Sequence, residues 1–329
     1  MAETLKKLLL NIKEKITKQK VPPKETIKTI LSPYAEMLAW LNSFTISFFR
    51  SEAKTKFYSS IPMESFLALL DNIAPDKRIR KVRDKAGPFF YKGNEVGILL
   101  VHGFSSTAQE MQDLASYLNE KAGYTAFCVL IAGHGTSPSD LAQTDMVDWY
   151  KSLKEGYDFL KEYCEKIFLV GHSMGGTLSF ILAAHEEVNG VVSLCTPVEV
   201  EYFMQDYLFL VKDLLRFFPR RKEEIELMDK NNLINYRVSS LRAVDHLLDL
   251  MEIAKEEITG VTAPIFTVTA GRDTRVPLHN AEKIHELVQS KIKKNYFAEN
   301  SIHTILYGEE KDLIMKKTLD FIQNIEQNS

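Results

Sequence analysis

The chain has 329 residues, 45% of them hydrophobic and 26% charged, with a formal net charge of −3. That length and balance suit one large globular domain, or one domain with an appendage, and exclude a disordered or collagen-like chain. Residues 37–49 form an uncharged run of 13 residues, well short of the roughly 20 that a membrane-spanning helix needs.

The charge is uneven. Residues 1–90 hold 17 Lys and Arg against 9 Asp and Glu, a balance of +8, which leaves −11 for the rest. Near the N-terminus, "KKLLLNIKEK" returns to charge after three apolar residues, too soon for the core of a signal peptide. Leu5, Leu8, Leu9, Ile12 and Ile16 recur at spacings of three and four, which predicts a helix. Pro22 and Pro23 end it, and a similar pattern from Ile27 to Phe48 predicts another. Residues 1–90 are expected to be a helical N-terminal extension, either solvated, self-associating or in peripheral contact with an anionic membrane. They carry no recognisable chemical motif.

From residue 96 short apolar runs alternate with longer amphipathic stretches. Strands are predicted at 96–101, 125–130, 167–170, 190–195, 265–270 and 295–298. Helices are predicted at about 107–121, 146–163, 175–186, 278–289 and 308–325. Strand–helix alternation implies a mostly parallel sheet covered on both faces, with ligands at the carboxyl ends of its strands. The aromatic stretch "YFMQDYLFLVKDLLRFF", the charged "RRKEEIE" and the amphipathic "LRAVDHLLDLM" interrupt the rhythm. They are expected to form a helical cap at about 197–260 within a domain spanning 91–329. Cys128, Cys164 and Cys195 lie in or beside apolar runs and show no metal-ligand spacing. They predict reduced core thiols and a cytoplasmic setting.

"LVGHSMGGTL" holds the sharpest chemistry. Gly171-His172-Ser173-Met174-Gly175 follows a predicted strand and opens a predicted helix, the context that makes G-x-S-x-G a nucleophile turn. A serine hydroxyl needs a histidine base, and the histidine needs a carboxylate to hold it. On such a sheet these follow the serine in the order acid, then histidine. Of the five later histidines, His185, His246, His279, His285 and His303, only His303 falls in a loop after the last strand. Asp273 directly follows strand 265–270, whereas Asp245 and Asp249 belong to the insertion. The candidate triad is therefore Ser173, Asp273 and His303. Backbone N–H groups of Met174 and Phe104 are the candidate oxyanion donors. His102, at the strand end, is expected to brace its loop.

Together, "VHGFSSTAQEMQDLASYL", "LIAGHGTSP", "DWY", "LVGHSMGG", "GRDTRVP" and "SIHTILYGEEKDLIMKKTLDFI" resemble the α/β-hydrolase superfamily, and within it bacterial carboxylesterases and monoacylglycerol-lipase-like members. The resemblance covers about 90–326. It implies an eight-stranded, mostly parallel sheet with a small helical cap. It also implies hydrolysis of short to medium acyl esters or monoacylglycerols through an acyl-enzyme. Ile302 stands where these relatives usually have glycine. The alternatives are a lysophospholipase, amidase or acyltransferase with the same triad, and an interaction protein on the same fold. Neither a cofactor, a metal nor a nucleic-acid partner is expected.

Overall fold

The computed structural model describes residues 81–200 and 217–328. Most of the N-terminal extension and the first part of the aromatic insertion thus lie outside the described residues. Seven strands form the main sheet: β1 (Phe89–Tyr91), β2 (Val96–Val101), β3 (Thr125–Cys128), β4 (Lys166–His172), β5 (Gly190–Leu194), β8 (Ile265–Ala270) and β9 (Lys293–Ala298). Their spatial order is β1-β3-β2-β4-β5-β8-β9. β1 is antiparallel to β3, and every other neighbouring pair is parallel. The architecture is an α/β-hydrolase fold. Seven strands are described where the resemblance implies eight. β1 spans the expected domain boundary between residues 90 and 91, so Phe89 and Phe90 pair within the sheet.

Every residue of β2 is buried, as a strand covered on both faces requires. Its side chains alternate between two cores. Leu99 and Val101 face one, with Trp149 and Tyr157 of α3 (Met146–Lys161) and Leu178 and Phe180 of α4 (Met174–His185). Ile98 and Leu100 face the other, with Leu114 and Leu118 of α1 (Gln112–Ala122) and Ile314, Phe321 and Ile322 of α8 (Lys311–Asn328). Burial of one such side chain contributes about 1.5–3 kcal/mol, and the two layers hold the strand ends in fixed positions.

Local signals set the helix starts. Ser137 caps the short α2 (Pro138–Leu141) by accepting from Asp140 N. Asp145 accepts from Val147 N and Asp148 N, and Asp148 reaches back to Asp145 N, a reciprocal cap on α3. The described part of the insertion contains β6 (Phe217–Pro219) and β7 (Val238–Ser240), an antiparallel pair. It also contains α5 (Lys222–Lys230) and α6 (Leu241–Glu257), the second of which packs on α4. The remaining helix, α7 (Asn280–Leu287), follows β8. No helix among the described residues is long and apolar enough to cross a membrane.

Phe168 of β4 is wholly buried and lies against Gly190 of β5. Phe168→Ala is expected to destabilise the domain by about 3–5 kcal/mol through the cavity it leaves, measured by urea unfolding.

Candidate active site

The carboxyl end of β4 lies at the middle of the sheet, in register with neighbours on both sides. Gly171 pairs with Val101 of β2, and His172 with Leu194 of β5. The chain then turns so sharply that Ser173 adopts φ 52° and ψ −122°, a conformation that costs a non-glycine residue roughly 1–3 kcal/mol. The turn survives because neighbouring backbone leaves no room for another course. A Cβ on Gly175 would lie 2.2 Å from the Val101 carbonyl oxygen, and one on Gly171 would lie 2.4 Å from that of Gly175. Ser173 N donates to Leu194 O at 2.8 Å, and Gly176 N returns to Ser173 O at 2.9 Å. Ser173 is the N-cap of α4 but makes no side-chain cap bond, so its hydroxyl is not committed to the helix.

Ser173 Oγ lies 3.1 Å from His303 Nε2, and His303 Nδ1 lies 2.7 Å from Asp273 Oδ2. Asp273 Oδ1 accepts from Arg275 N and Val276 N at 2.8 and 3.0 Å. The acid and histidine loops are bound to each other: Gly271 N donates to Ala298 O and Arg272 N to Ser301 O. Burial opposes ionisation of Asp273, but the His303 bond, the His303 charge and the two amides outweigh it and hold the carboxyl below its usual range. Burial also pushes His303 below the ordinary imidazole value, and Asp273 only partly offsets this. His303 is therefore a neutral base at neutral pH, with Nδ1–H toward the carboxylate and Nε2 free to accept the serine proton.

The loop after β2 supplies the opposite wall. Ser106 N closes a turn onto Gly103 O, and Ser105 at φ 59° carries the chain past Phe104. The N–H groups of Phe104 and Met174 have no acceptor among the described residues. Met174 opens α4, so its amide is one of the unpaired helix-start donors. His102 does brace the loop. Its Nδ1–H donates to Gly103 O at 2.9 Å, and its Nε2 accepts from Ile131 N at 3.1 Å.

The other candidates go elsewhere. His185 faces Glu257 at 2.7 Å, His279 faces Glu199 at 2.9 Å, and His285 faces Thr267 at 2.9 Å. His246, Asp245 and Asp249 all lie on α6. Three contacts had no signature in the sequence. Arg220, beside β6, donates to Ser105 Oγ. Tyr236 N donates to Ser105 O at 3.1 Å. Glu110 reaches the loop after β2, where it accepts from Gly103 N at 2.8 Å. His172, His303 and Cys195 have ligand-type atoms within 4.8 Å of one another. Both nitrogens of His303 and Nε2 of His172 are already engaged, so the trio is an acid–base cluster and not a ready metal site.

A strained serine over the centre of a parallel sheet, with an imidazole and a carboxylate in line behind it, defines a serine hydrolase of the α/β-hydrolase class. Residues 94–311 match the family described as serine aminopeptidase, S33, and the chain belongs to that family. It is 31% identical over 237 residues to the thermostable monoacylglycerol lipase of Bacillus sp. (strain H-257), covering 72% of this chain and 94% of that one. It is 29% identical over 243 residues to a carboxylesterase of Bacillus subtilis (strain 168), covering 73% and 97%. Among solved structures, a metagenome-derived lipolytic enzyme of the LipS and LipT pair superposes with a TM-score of 0.68 at 27% identity, covering 74% of this chain and all of that one. The monoacylglycerol lipase of Paleococcus ferrophilus does so at 0.63 and 20% identity, covering 72% and 98%, which shows the shared fold.

Because burial lowers the His303 pKa, the base stays unprotonated below the ordinary imidazole midpoint of 6.5. The acid limb of kcat/KM is expected to have its midpoint below pH 6.5, read from a pH–rate profile with a neutral ester.

Proposed function

We propose that this protein hydrolyses carboxylic esters of short to medium acyl chains, monoacylglycerols among them, through an acyl-Ser173 intermediate. The observation that carries the reading is the unbroken Ser173–His303–Asp273 chain at 3.1 and 2.7 Å. In the first step Ser173 Oγ bonds to the ester carbonyl carbon while His303 Nε2 takes its proton. Asp273 holds the imidazole tautomer and stabilises the imidazolium. The Phe104 and Met174 amides receive the oxyanion, an interaction strongest in the transition state. Collapse of the intermediate breaks the carbon–oxygen bond to the alcohol, which takes the proton from His303. Water then repeats the sequence on the acyl-enzyme, releasing the acid and restoring Ser173.

The two Bacillus relatives are named for ester substrates, which favours esters over amides. The family description names an aminopeptidase, and this supports amide hydrolysis as the second reading. The insertion at 197–260 acts as a cap over the acyl site in this scheme. Its described part holds the oxyanion loop through Arg220 and Tyr236.

Ser173→Ala is expected to lower kcat/KM on p-nitrophenyl butyrate by more than about a thousandfold. Full activity in that variant would end the assignment. An ester chain-length series beside the matching p-nitroanilides separates acyl preference from amidase action. For residues 1–90, the +8 balance supports peripheral contact with an anionic surface. The full chain is expected to float with phosphatidylglycerol vesicles and to stay behind with neutral ones. Equal recovery in both removes the membrane role.

A further inference from the structure

Beneath the triad lies a second polar group that the reaction scheme leaves unused. Glu110 belongs to the single 3-10 turn after the oxyanion loop, and its side chain is 5% exposed. The His172 side chain is 4% exposed, and Nδ1 lies 3.1 Å from Glu110 Oε2. The same Oε2 accepts from Gly103 N at 2.8 Å. On its other side the His172 ring gives Nε2–H to the main-chain carbonyl of His303 at 2.8 Å. That carbonyl also accepts from Ile305 N at 2.8 Å. One carboxylate and one imidazole thus touch three segments far apart in sequence: the loop of Phe104, the turn of Ser173 and the loop of His303.

Proton accounting fixes the state of the pair. Nε2 must carry hydrogen, since its partner is a carbonyl. Nδ1 lies 3.1 Å from a carboxylate oxygen, within ion-pair reach but not in hydrogen-bond alignment, and has no other partner, so the contact favours an ion pair with a proton on Nδ1. A buried carboxylate without a cationic partner costs several kcal/mol, and His172 is the cation nearest to hand. Burial alone would push Glu110 up, but His172 and the Gly103 amide hold it at about 2. Burial alone would push His172 down, but Glu110, the His303 carbonyl and Asp273 raise it.

We infer that Glu110 and His172 are positioning residues, an ion-paired clamp that keeps the oxyanion loop, the nucleophile turn and the His303 backbone in one register. The inference rests on the roles proposed for Ser173 and His303. It carries an electrostatic consequence. The His172 and His303 ring centroids are 5.0 Å apart, so a charged His172 disfavours a second imidazolium at 303. The other groups facing His172 do not cancel this. His102, at the end of β2, is kept neutral by burial, which lowers its pKa. Cys195, after β5, is kept a neutral thiol by burial, which raises its pKa. Asp273, after β8, is the ion that His303 itself binds. Arg275 adds a further positive charge toward His303.

The test uses the full-length chain with ¹⁵N-labelled histidine and p-nitrophenyl butyrate. In the wild type at pH 7, imidazole NMR is expected to show His172 protonated on both nitrogens and His303 neutral. A neutral His172 overturns the inference, and this measurement needs no variant to fold. His172→Asn keeps an amide beside Glu110 but falls short of the His303 carbonyl. It is expected to lower kcat about tenfold to a hundredfold with KM within about twofold. In the same variant the His303 midpoint is expected to rise by at least about half a pH unit, in NMR and in the acid limb of kcat/KM. His172→Gln reaches as far as Nε2 and is expected to recover most of kcat while keeping the raised midpoint. An unmoved midpoint, or equal losses in the Asn and Gln variants, overturns the clamp. Failure of the wild type to hydrolyse the ester or to react with a fluorophosphonate sinks the hydrolase reading instead, and the NMR midpoints still decide the clamp.

Discussion

The left-handed backbone at Ser173 is the constraint on which the rest of the site depends. A φ of 52° is unfavourable for serine, and nothing local relieves it. Packing imposes it: the turn passes so close to the end of β2 that any side chain at 175 would meet the Val101 carbonyl. Strand pairing on both sides fixes where β4 stops, and α4 is buried along almost its whole length. The serine can neither slide along the strand nor wind into the helix. The core stabilisation of two layers thus maintains one strained residue whose hydroxyl stands clear of the helix it begins.

Three imidazoles near that serine show how environment divides one side-chain chemistry into separate tasks. His102 accepts an amide on one nitrogen and donates to a carbonyl with the other, a neutral strut. His303 has a carboxylate on one side and a hydroxyl on the other, so it can gain and lose a proton in place. His172 has a carboxylate on one side and a carbonyl on the other, which favours the charged form. Residue type alone does not separate these roles; the second partner of each ring does.

How much of this was legible in the sequence follows from the range of each interaction. The central strands read clearly because a strand buried on both faces is a continuous apolar run, as "VGILLV" is. Ser173 read clearly because its turn is built from residues within two positions of it. Asp273 and His303 were reachable through chain order and loop position. β1 was missed because three residues at a sheet edge, one of them exposed, give no periodicity to count. The β6–β7 pair was missed for a similar reason: each strand has three residues, and β6 ends in proline. Glu110 lay hidden in an amphipathic stretch where a carboxylate usually faces water. Its partners are 7 and 62 positions away, and only the folded sheet brings them together.

The arrangement also explains why the loop after β2, the proposed oxyanion loop, is supported from two sides. That loop contains Ser105, a second residue with positive φ, so it too is held away from its preferred backbone. From above, Arg220 and Tyr236 of the insertion grip Ser105. Tyr236 also donates through its hydroxyl to Gly133 O and accepts from Thr136 N, which ties the insertion to the loop after β3. From below, Glu110 holds Gly103. Donors aimed at a developing negative charge act most strongly when they do not have to reorganise as the charge appears. A loop gripped on both faces meets that requirement. It also makes the described part of the insertion a structural support of the wall that faces Ser173.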